Sequence, residues 1–173
     1  MGVVTMAWNT CDVCDRFKAA DPADLRVWPG SRWMHLGGTR RMAGEVSTVR
    51  CFEDNSRVKE AVESPGGGRV LVVDGGGSLR RALLGGNLAA AAARNGWAGL
   101  WVHGAVRDLA ELREQPIAIL ALGHVPLPTE RQQQGLRDVP LLLDGSPVRP
   151  GEWLLADDDG VVVLRQAPTD GPG

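Results

Sequence analysis

Two adjacent charged residues, Arg107 and Asp108, are the residues of this sequence best suited to chemistry. They follow a short apolar run at 99–102, and a buried strand of an α/β sheet is expected to end near this point. A guanidinium binds a carboxylate through two parallel hydrogen bonds, and a carboxylate is an oxygen ligand for hard cations. The pair can therefore hold a carboxylate-bearing ligand next to a divalent metal ion. The alternative interpretation is a surface ion pair together with a helix cap.

A glycine pair, Gly85-Gly86, marks a second candidate site. It precedes the alanine-rich segment 87–94, whose composition strongly favours a helix. The first backbone N–H groups of a helix lack partners within the helix and carry the positive end of its dipole. The start of this helix is therefore predicted to bind an anion.

The order of the surrounding elements predicts how these residues come together. The apolar run 70–73 ends at Asp74 and the glycine bend 75–77, and the alanine-rich helix then leads to the run 99–102. A strand–helix–strand order favours a right-handed parallel crossover, and ligands of open α/β sheets collect at the carboxyl ends of such strands. We therefore expect the glycine bend and the Arg-Asp pair just beyond strand ends, with the glycine pair opening the helix between them.

Three other functional classes have no matching motif. The bend 75–77 is not G-x-G-x-x-G, and no Gly-Lys-Ser/Thr occurs, so a nucleotide site is not predicted. No Gly-x-Ser-x-Gly is present, so a serine hydrolase is not predicted either. The acidic run 157–160 lacks the ligand spacing of an EF-hand loop, and we interpret it as a tight turn.

The length and the net charge of the chain further limit its possible fold and function. A chain of 173 residues is expected to form one domain with a substantial core. Its net charge of −2, from 19 basic and 21 acidic residues, does not suggest a surface for direct nucleic-acid binding. No apolar stretch is long enough to span a membrane, and no secretion signal is recognisable at the N-terminus. The expected location is the cytoplasm.

The three cysteines do not suggest a disulfide framework. Cys11 and Cys14 form a CxxC motif, which zinc and redox sites share. A structural zinc site needs four ligands, and no second CxxC follows. We therefore expect reduced, partly buried thiols rather than a zinc site.

The rest of the chain is predicted to form short strands, helices and loops. Trp28 and Trp33 lie in or beside a loop containing two prolines, and we expect them to cover an edge or an interface. The predicted strands are 41–52, 70–73, 99–102, 117–122, 139–143, 146–148, 152–156 and 160–165. The predicted helices are 10–20, 55–63, 87–94 and 108–114, and the predicted irregular segments are 1–9, 21–30, 123–137 and 166–173.

A set of segments resembles the RraA family, which contains regulators of ribonuclease activity and divalent-metal 4-hydroxy-4-methyl-2-oxoglutarate aldolases. The matching segments are 51–55 (CFEDN), 69–78 (RVLVVDGGGS), 80–83 (RRAL), 103–108 (HGAVRD) and 156–160 (ADDDG). The resemblance implies an α/β fold, a three-layer β/β/α swivelling-type single domain, assembled as a ring-shaped homotrimer with sites between subunits. The chain would then consist of an N-terminal helix and loop at 1–38, the α/β domain at 39–165 and a disordered tail at 166–173.

The resemblance also implies roles for individual residues. Arg107 would bind the substrate carboxylate and keto oxygen, and Asp108 would hold Mg²⁺ or Mn²⁺, so both are candidate catalytic residues. The substrate, a small 2-oxo acid, would place its pyruvyl carboxylate on backbone amides contributed by Gly85, Gly86, Asn87 and Leu88. This sequence departs from the aldolases at Gly86, where they carry an acidic residue.

The lysine content supports a metal-dependent route. Release of pyruvate from a 4-hydroxy-2-oxo acid requires a stabilised enolate, through either a Schiff-base lysine or a metal ion. The only lysines are Lys18, near the start, and Lys59, expected on a polar helix face. Since neither belongs to the Arg-Asp and glycine cluster, the metal route is preferred.

Two functions from different classes follow. The first is a metal-dependent pyruvate aldolase that cleaves 4-hydroxy-4-methyl-2-oxoglutarate and also decarboxylates oxaloacetate. The second is a non-catalytic regulator that binds and inhibits a ribonuclease E-type enzyme without binding RNA itself. The presence of Asp108 favours the first function, and the glycine at position 86 favours the second.

Overall fold

The computed structural model describes residues 7–172, which form twelve strands and four α-helices in the described part of the chain. In chain order the first half consists of α1 (Thr10–Phe17), β1 (Leu25–Pro29), a 3₁₀ turn (Gly30–Arg32), β2 (Met34–His35), β3 (Met42–Arg50), α2 (Ser56–Val62), β4 (Val70–Asp74), β5 (Ala82–Leu84) and α3 (Gly86–Arg94). The second half consists of β6 (Gly99–Val106), α4 (Leu109–Glu114), β7 (Ala118–His124), β8 (Leu136–Arg137), β9 (Leu141–Leu143), β10 (Ser146–Val148), β11 (Trp153–Ala156) and β12 (Gly160–Leu164).

The centre of the fold is a parallel sheet of β3, β4, β6 and β7. Beyond β3 the sheet continues through the antiparallel strands β11, β12 and β1, so the order is β1-β12-β11-β3-β4-β6-β7-β2. The apolar runs that predicted β4, β6 and β7 are nearly continuous because both faces of these strands are covered. The expected strand–helix–strand crossover, β4–α3–β6, is therefore present with parallel outer strands.

The two faces of the central sheet contact different layers. On one face, side chains such as Leu71 and Val73 pack against α2, α3 and α4. On the other face, Val70 and Val72 pack against the antiparallel strands and the β9–β10 hairpin. The helix α1 lies on the outer side of β11 and β12, in a third apolar cluster. The chain is thus an α/β single domain with the predicted β/β/α layers.

The segment 21–30 is the largest error of the predicted secondary structure. We expected a loop, but Leu25–Pro29 forms β1, which pairs antiparallel with β12. β1 is an edge strand, and an edge strand tolerates a proline because one side of its backbone needs no partner. The two prolines that argued against a strand therefore do not prevent one here.

The tryptophans of this region lie in the core. Trp28 and Trp33 are 2% and 6% exposed, so the expectation that they cover an edge or an interface is wrong. Both stack edge-on against the fully buried Trp101, with ring centroids 5.0 Å and 5.2 Å away. Trp28 Nε1 also donates a hydrogen bond to the Leu143 carbonyl. These aromatic side chains join the central sheet to its second sheet layer.

The N-terminal segment is partly ordered. Of the segment 1–9, which we predicted to be irregular, residues 1–6 lie outside the described residues, but Trp8 is only 2% exposed and donates to the Asp170 carbonyl. Asn9 caps α1 in a reciprocal box with Asp12. The segment 166–172 contains neither helix nor strand.

Across residues 7–172, none of the helices combines the length and apolar character needed to cross a membrane.

Candidate functional site

A three-residue strand, β5, brings the two candidate sites together. It runs parallel to β6, with Ala82 opposite Ala105 and Leu84 opposite Val106. The ladder continues one step further, since Arg107 N donates to the Leu84 carbonyl at 2.9 Å. Because both strands end at the same edge, the residues that follow them, Gly85-Gly86 and Arg107-Asp108, become neighbours. The sequence does not predict β5, because three apolar residues are too short for a periodic pattern.

Asp108 contacts the start of α3 directly. Its Oδ2 accepts a hydrogen bond from the Gly86 N–H at 2.9 Å. Gly85, the N-cap of α3, has no side chain to offer, so a carboxylate from another element caps the helix. Asp108 itself adopts a left-handed backbone conformation (φ 61°, ψ 46°) where β6 turns into α4, a conformation that aspartate tolerates better than most residues. The predicted anion site thus already contacts an anionic group of the chain.

The glycine pair provides a bare backbone on which charged side chains rest. A Cβ on Gly85 would lie 2.7 Å from Asp108 Oδ2 and 3.3 Å from Arg107 Nε. A Cβ on Gly86 would overlap Glu111 Oε2 and lie 2.8 Å from Glu111 Cδ. With no Cβ at either position, three charged side chains approach the start of the helix closely.

The Arg107 side chain, 40% exposed, keeps most of its hydrogen-bonding capacity. Its Nε lies 3.8 Å from Asp108 Oδ2, and its Nη1 donates to the Pro126 carbonyl at 3.4 Å. A guanidinium carries five N–H donors, so several remain for a ligand. Arg107 is thus held at the site by weak contacts and can form a bidentate pair with a bound carboxylate.

These residues line a cavity of about 540 Å³ between α2, α3 and the segment 126–131. Its charged lining comprises four cationic and two acidic side chains: Lys59, Arg94, Arg107, Arg131, Glu63 and Asp108. Gly85, Asn87 and Leu88 also line it, so all five predicted site residues other than Gly86 share one cavity. The excess of cationic groups favours an anionic ligand.

Asn55 is a lining residue that the sequence did not single out. It stands at the N-cap position of α2, but its side chain makes no capping hydrogen bond. Its Oδ1 accepts from Thr129 Oγ1 at 2.7 Å and from Arg131 Nε at 3.0 Å, and its Nδ2 donates to the Leu83 carbonyl. Asn55 is 7% exposed and therefore fixes Arg131 at the cavity wall. An asparagine after a strand gave no signal to distinguish this role from a helix cap.

Lys59 also lies elsewhere than expected. The sequence predicts it on a polar helix face, apart from the Arg-Asp and glycine cluster, but it lines the same cavity. Its Nζ forms an ion pair with Glu63 Oε1 at 2.6 Å. An ion-paired ammonium is protonated and is a poor nucleophile. Because Lys59 lines the cavity, formation of a Schiff base between Lys59 and the substrate has to be tested by experiment.

The glycine bend 75–77 is not part of this cavity. The N–H groups of Gly75 and Gly77 both donate to the His103 carbonyl at 3.1 Å. The His103 ring faces Asp144, with Nε2 3.2 Å from Oδ1, and a hydrogen bond from Arg32 lowers the pKa of Asp144 below its ordinary value. The bend thus closes a turn beside His103, just beyond the end of β4 as predicted, and it does not line this cavity.

The carboxylates at the start of α3 suit a partly hydrated divalent ion. Within residues 7–172 there is no group of three or more His, Cys, Asp or Glu side chains that could hold a metal ion. Mg²⁺ usually keeps several waters and binds through one or two carboxylates plus ligand oxygens. Asp108, which uses Oδ2 for the Gly86 hydrogen bond and is partly exposed, fits that requirement, and Glu111 lies against the same backbone.

The CxxC cysteines lie on α1, away from this cavity. Cys11 Sγ contacts Asp159 Oδ2 at 3.7 Å, and that carboxylate raises the pKa of the Cys11 thiol. Burial raises the pKa of the Cys14 thiol. A raised pKa disfavours the thiolate, which is the form that binds metals and attacks disulfides.

Known proteins similar to this chain carry several functional names. The family model described as RraA-like, Aldolase/RraA, matches residues 10–163. A protein of Albidiferax ferrireducens named "Putative 4-hydroxy-4-methyl-2-oxoglutarate aldolase" is 54% identical over 168 residues, 92% of this chain and 96% of that protein. The solved structure of the RNA-processing inhibitor RraA from Thermus thermophilis has a TM-score of 0.89 and 46% identity, and the match covers 96% of this chain and 99% of that one.

A third relative has yet another name. The solved structure named S-adenosylmethionine: 2-dimethylmenaquinone methyltransferase from Geobacillus kaustophilus has a TM-score of 0.85 and 42% identity, covering 92% of this chain and 96% of that one. Because proteins of one fold carry three functional names, an activity has to be argued from the site itself.

Proposed function

Because this chain belongs to the RraA-like family, Aldolase/RraA, we propose that it is a divalent-metal-dependent pyruvate aldolase. Its substrate would be 4-hydroxy-4-methyl-2-oxoglutarate, and oxaloacetate decarboxylation would be a side activity. The observation that carries this proposal is the contact between Asp108 and the Gly86 N–H, beside Arg107, in a cavity rich in cationic groups. A carboxylate, a guanidinium and a helix start suit a 2-oxo acid bound with a metal ion.

Each residue has a role in this proposal. Arg107 binds the substrate carboxylate and keto oxygen, and the amides contributed by Gly85, Gly86, Asn87 and Leu88 bind the pyruvyl carboxylate. Asp108 holds Mg²⁺ or Mn²⁺. When bound, the metal ion supplies Lewis-acid polarisation of the 2-oxo group. Asp108 Oδ2 accepts the Gly86 N–H, so a substrate carboxylate that took over this amide would free Asp108 Oδ2 to hold the metal ion.

Both reactions form the same enolate. In the aldol cleavage the bond between C3 and C4 breaks, its electron pair forms the enolate of pyruvate, and the 4-hydroxyl loses its proton as a second pyruvate forms. In oxaloacetate the electron pair of the bond to the departing carboxylate forms the same enolate as carbon dioxide leaves. Protonation of the enolate carbon gives pyruvate in each case. Arg107 stabilises the negative charge that develops on the keto oxygen.

The metal requirement is the cheapest test. We expect pyruvate release from oxaloacetate, and from the aldol substrate, in the presence of Mg²⁺ or Mn²⁺ and its loss in EDTA, with recovery when the metal ion is restored. Borohydride added together with pyruvate should leave the protein mass unchanged, because the metal route forms no Schiff base. A covalent adduct on Lys59 would overturn the metal mechanism, and equal release with metal and with EDTA would overturn the enzymatic proposal.

Regulation of a ribonuclease is the second candidate function. Two observations favour it: the similarity to the RNA-processing inhibitor RraA and the glycine at position 86. The chain would then bind and inhibit a ribonuclease E-type enzyme without direct contact to nucleic acid, in keeping with its net charge of −2. Inhibition of RNA cleavage by wild-type protein and by an Arg107→Ala variant alike would support this function, because the proposed active site would not be needed.

We also propose assembly as a homotrimer in the cytoplasm. The tryptophans no longer support an interface, but four exposed apolar side chains lie beyond the carboxyl ends of the central strands: Phe52, Leu79, Leu127 and Leu136, each 48% to 58% exposed. Burial of such a set is typical of an interface core. Light scattering at micromolar concentration should give three times the 18.4 kDa of one chain. A mass equal to that of one chain would contradict the proposal.

A further inference from the structure

We propose that Arg131, held in place by Asn55, binds the second carboxylate of the substrate and so selects dicarboxylic 2-oxo acids. This inference rests on the proposed function, in which Arg107 and the start of α3 bind the pyruvyl end of the substrate. 4-Hydroxy-4-methyl-2-oxoglutarate carries a second carboxylate on C4, and a subsite for that group needs a further cationic side chain.

The strand β5 places Arg107 and Arg131 on opposite sides of the segment that leads into α3. On one side β5 pairs with β6, and Arg107 directly follows β6. On the other side Ala82 forms a parallel bridge with Pro128, and the Ala82 N–H donates to the Leu127 carbonyl at 2.8 Å. Arg131 follows this bridge and lines the same cavity as Arg107. The two segments that flank β5 are thus roughly 10 Å apart, twice the spacing of neighbouring strands.

Asn55 holds the Arg131 side chain through one of its nitrogens. The Asn55 Oδ1 accepts from Arg131 Nε at 3.0 Å and from Thr129 Oγ1 at 2.7 Å. The Asn55 Nδ2 donates to the Leu83 carbonyl of β5 at 3.1 Å, which fixes the plane of the amide. Asn55 is buried, so water competes little for these hydrogen bonds. This network therefore sets the direction of the Arg131 guanidinium relative to β5.

The two terminal nitrogens of Arg131 are free to bind a ligand. Within residues 7–172 they have neither a hydrogen bond nor an ion pair. Lys59, by contrast, is paired with Glu63. Arg94 has no partner among the same residues, but it lies in the last turn of α3, at the opposite end of that helix from the proposed site. Arg131 is thus the cation that is oriented by a buried group and can still form a bidentate contact with a carboxylate.

This arrangement defines the class of substrate. A five-carbon dicarboxylate, hydrogen-bonded at each end, can bridge two guanidinium groups carried by segments this far apart. A 2-oxo acid that ends in a methyl group offers the Arg131 donors no acceptor. The site should therefore discriminate between 2-oxo acids by the presence of the second carboxylate.

Binding of two 2-oxo acids that cannot be cleaved tests the proposal without turnover. 2-Oxoglutarate has the five-carbon chain and both carboxylates of the proposed substrate but no 4-hydroxyl group, and 2-oxopentanoate has a methyl group in place of the second carboxylate. With Mg²⁺ present, isothermal titration calorimetry should show tighter binding of 2-oxoglutarate to the wild type. Arg131→Ala should reduce this preference by roughly tenfold or more, the effect typical of losing a charge-assisted hydrogen bond, and should leave 2-oxopentanoate binding unchanged.

Arg94→Ala is the matched control, because it removes the same charge from the lining of the same cavity. This variant should retain most of the preference for 2-oxoglutarate. If Arg94→Ala and Arg131→Ala lose the preference equally, the cavity attracts anions without a defined subsite, and the proposal is overturned. A wild-type preference in Arg131→Ala would overturn it as well.

Asn55→Ala tests the positioning role of the amide. It should reduce the preference for 2-oxoglutarate as Arg131→Ala does, and the double variant should lose little more, because both substitutions act on one contact. Asn55→Ala also removes the hydrogen bond to the Leu83 carbonyl, so the melting temperature is measured in parallel. A lower melting temperature with an unchanged preference would overturn the positioning role.

Failure of this inference differs from failure of the proposed function. If Arg131→Ala keeps the wild-type preference while the wild type releases pyruvate only with a metal ion, the subsite is overturned and the aldolase function stands. If the wild type prefers 2-oxoglutarate through Arg131 but releases no pyruvate from the aldol substrate with a metal ion, the subsite stands and the aldolase function is overturned.

Discussion

Arg107→Ala should lower the rate of metal-dependent pyruvate release by about a hundredfold or more, the usual cost of removing one donor to a developing oxyanion. The guanidinium is only weakly tethered, at 3.8 Å from Asp108 and 3.4 Å from the Pro126 carbonyl, so its loss should affect the ligand more than the fold. Arg107→Lys should rescue poorly, because a point charge cannot reproduce the bidentate fork. Pyruvate release from oxaloacetate, followed by a coupled dehydrogenase assay, gives both kcat and KM.

The neighbouring Asp108 needs a more careful substitution in the same experiment. Asp108→Ala should remove most activity, but it also removes the acceptor for the Gly86 N–H, which costs about 1 kcal/mol of stability. Asp108→Asn separates the two effects, since its amide oxygen can still accept that hydrogen bond and asparagine tolerates the left-handed backbone. We therefore expect Asp108→Asn to fold like the wild type and to lose metal-dependent activity.

Arg113→Ala is the matched control for Arg107, because Arg113 is an exposed arginine of α4 outside the cavity lining. Its activity should be that of the wild type. If Arg107→Ala and Asp108→Asn both release pyruvate at the wild-type rate in the presence of the metal ion, this site does not carry the reaction. The ribonuclease-regulator function is then preferred to the aldolase function.

Glu152→Ala should destabilise the fold by about 3–5 kcal/mol, the cost of leaving one partner of a buried ion pair uncompensated. Arg26 and Glu152 form a bidentate pair at 2.8 Å and 2.9 Å, with side chains only 3% and 9% exposed. Glu152 Oε2 also accepts from Arg149 N, and Arg26 Nε has no hydrogen-bond partner within the described residues. Loss of the carboxylate thus leaves a guanidinium buried between β1 and β11 with little compensation.

Denaturant unfolding at one fixed protein concentration measures this effect, because an oligomer makes apparent stability depend on concentration. Arg165→Ala is the control, since the Arg165–Asp24 pair is largely exposed, and its loss should cost no more than about 1 kcal/mol. The combined substitution Arg26→Met with Glu152→Leu should recover most of the loss by replacing the pair with apolar groups. A loss for Glu152→Ala no larger than that for Arg165→Ala would contradict this account.

The sequence by itself determined the elements that bury a long apolar run. The segments 70–73, 99–102 and 117–122 are apolar on both faces, and such runs are stable only as inner strands of a covered sheet. The alanine run of α3 needs little tertiary help to be helical, and the glycine pair before it marks its start. The predicted α/β class is confirmed, and these elements also placed Arg107-Asp108 at a strand end.

Tertiary structure decided the features that depend on contacts between distant segments. β5 forms because it pairs with the parallel strand β6, and β1 forms because it pairs with the antiparallel strand β12. The residues of β5 and β1 do not by themselves predict a strand. Lys59 reaches the cavity because α2 packs beside α3, and Glu111 reaches Gly86 because α4 turns back over the start of α3. The physical reason is common to all four: local propensity reports only on neighbours in the chain, whereas a partner strand or a facing helix is supplied by residues far away in sequence.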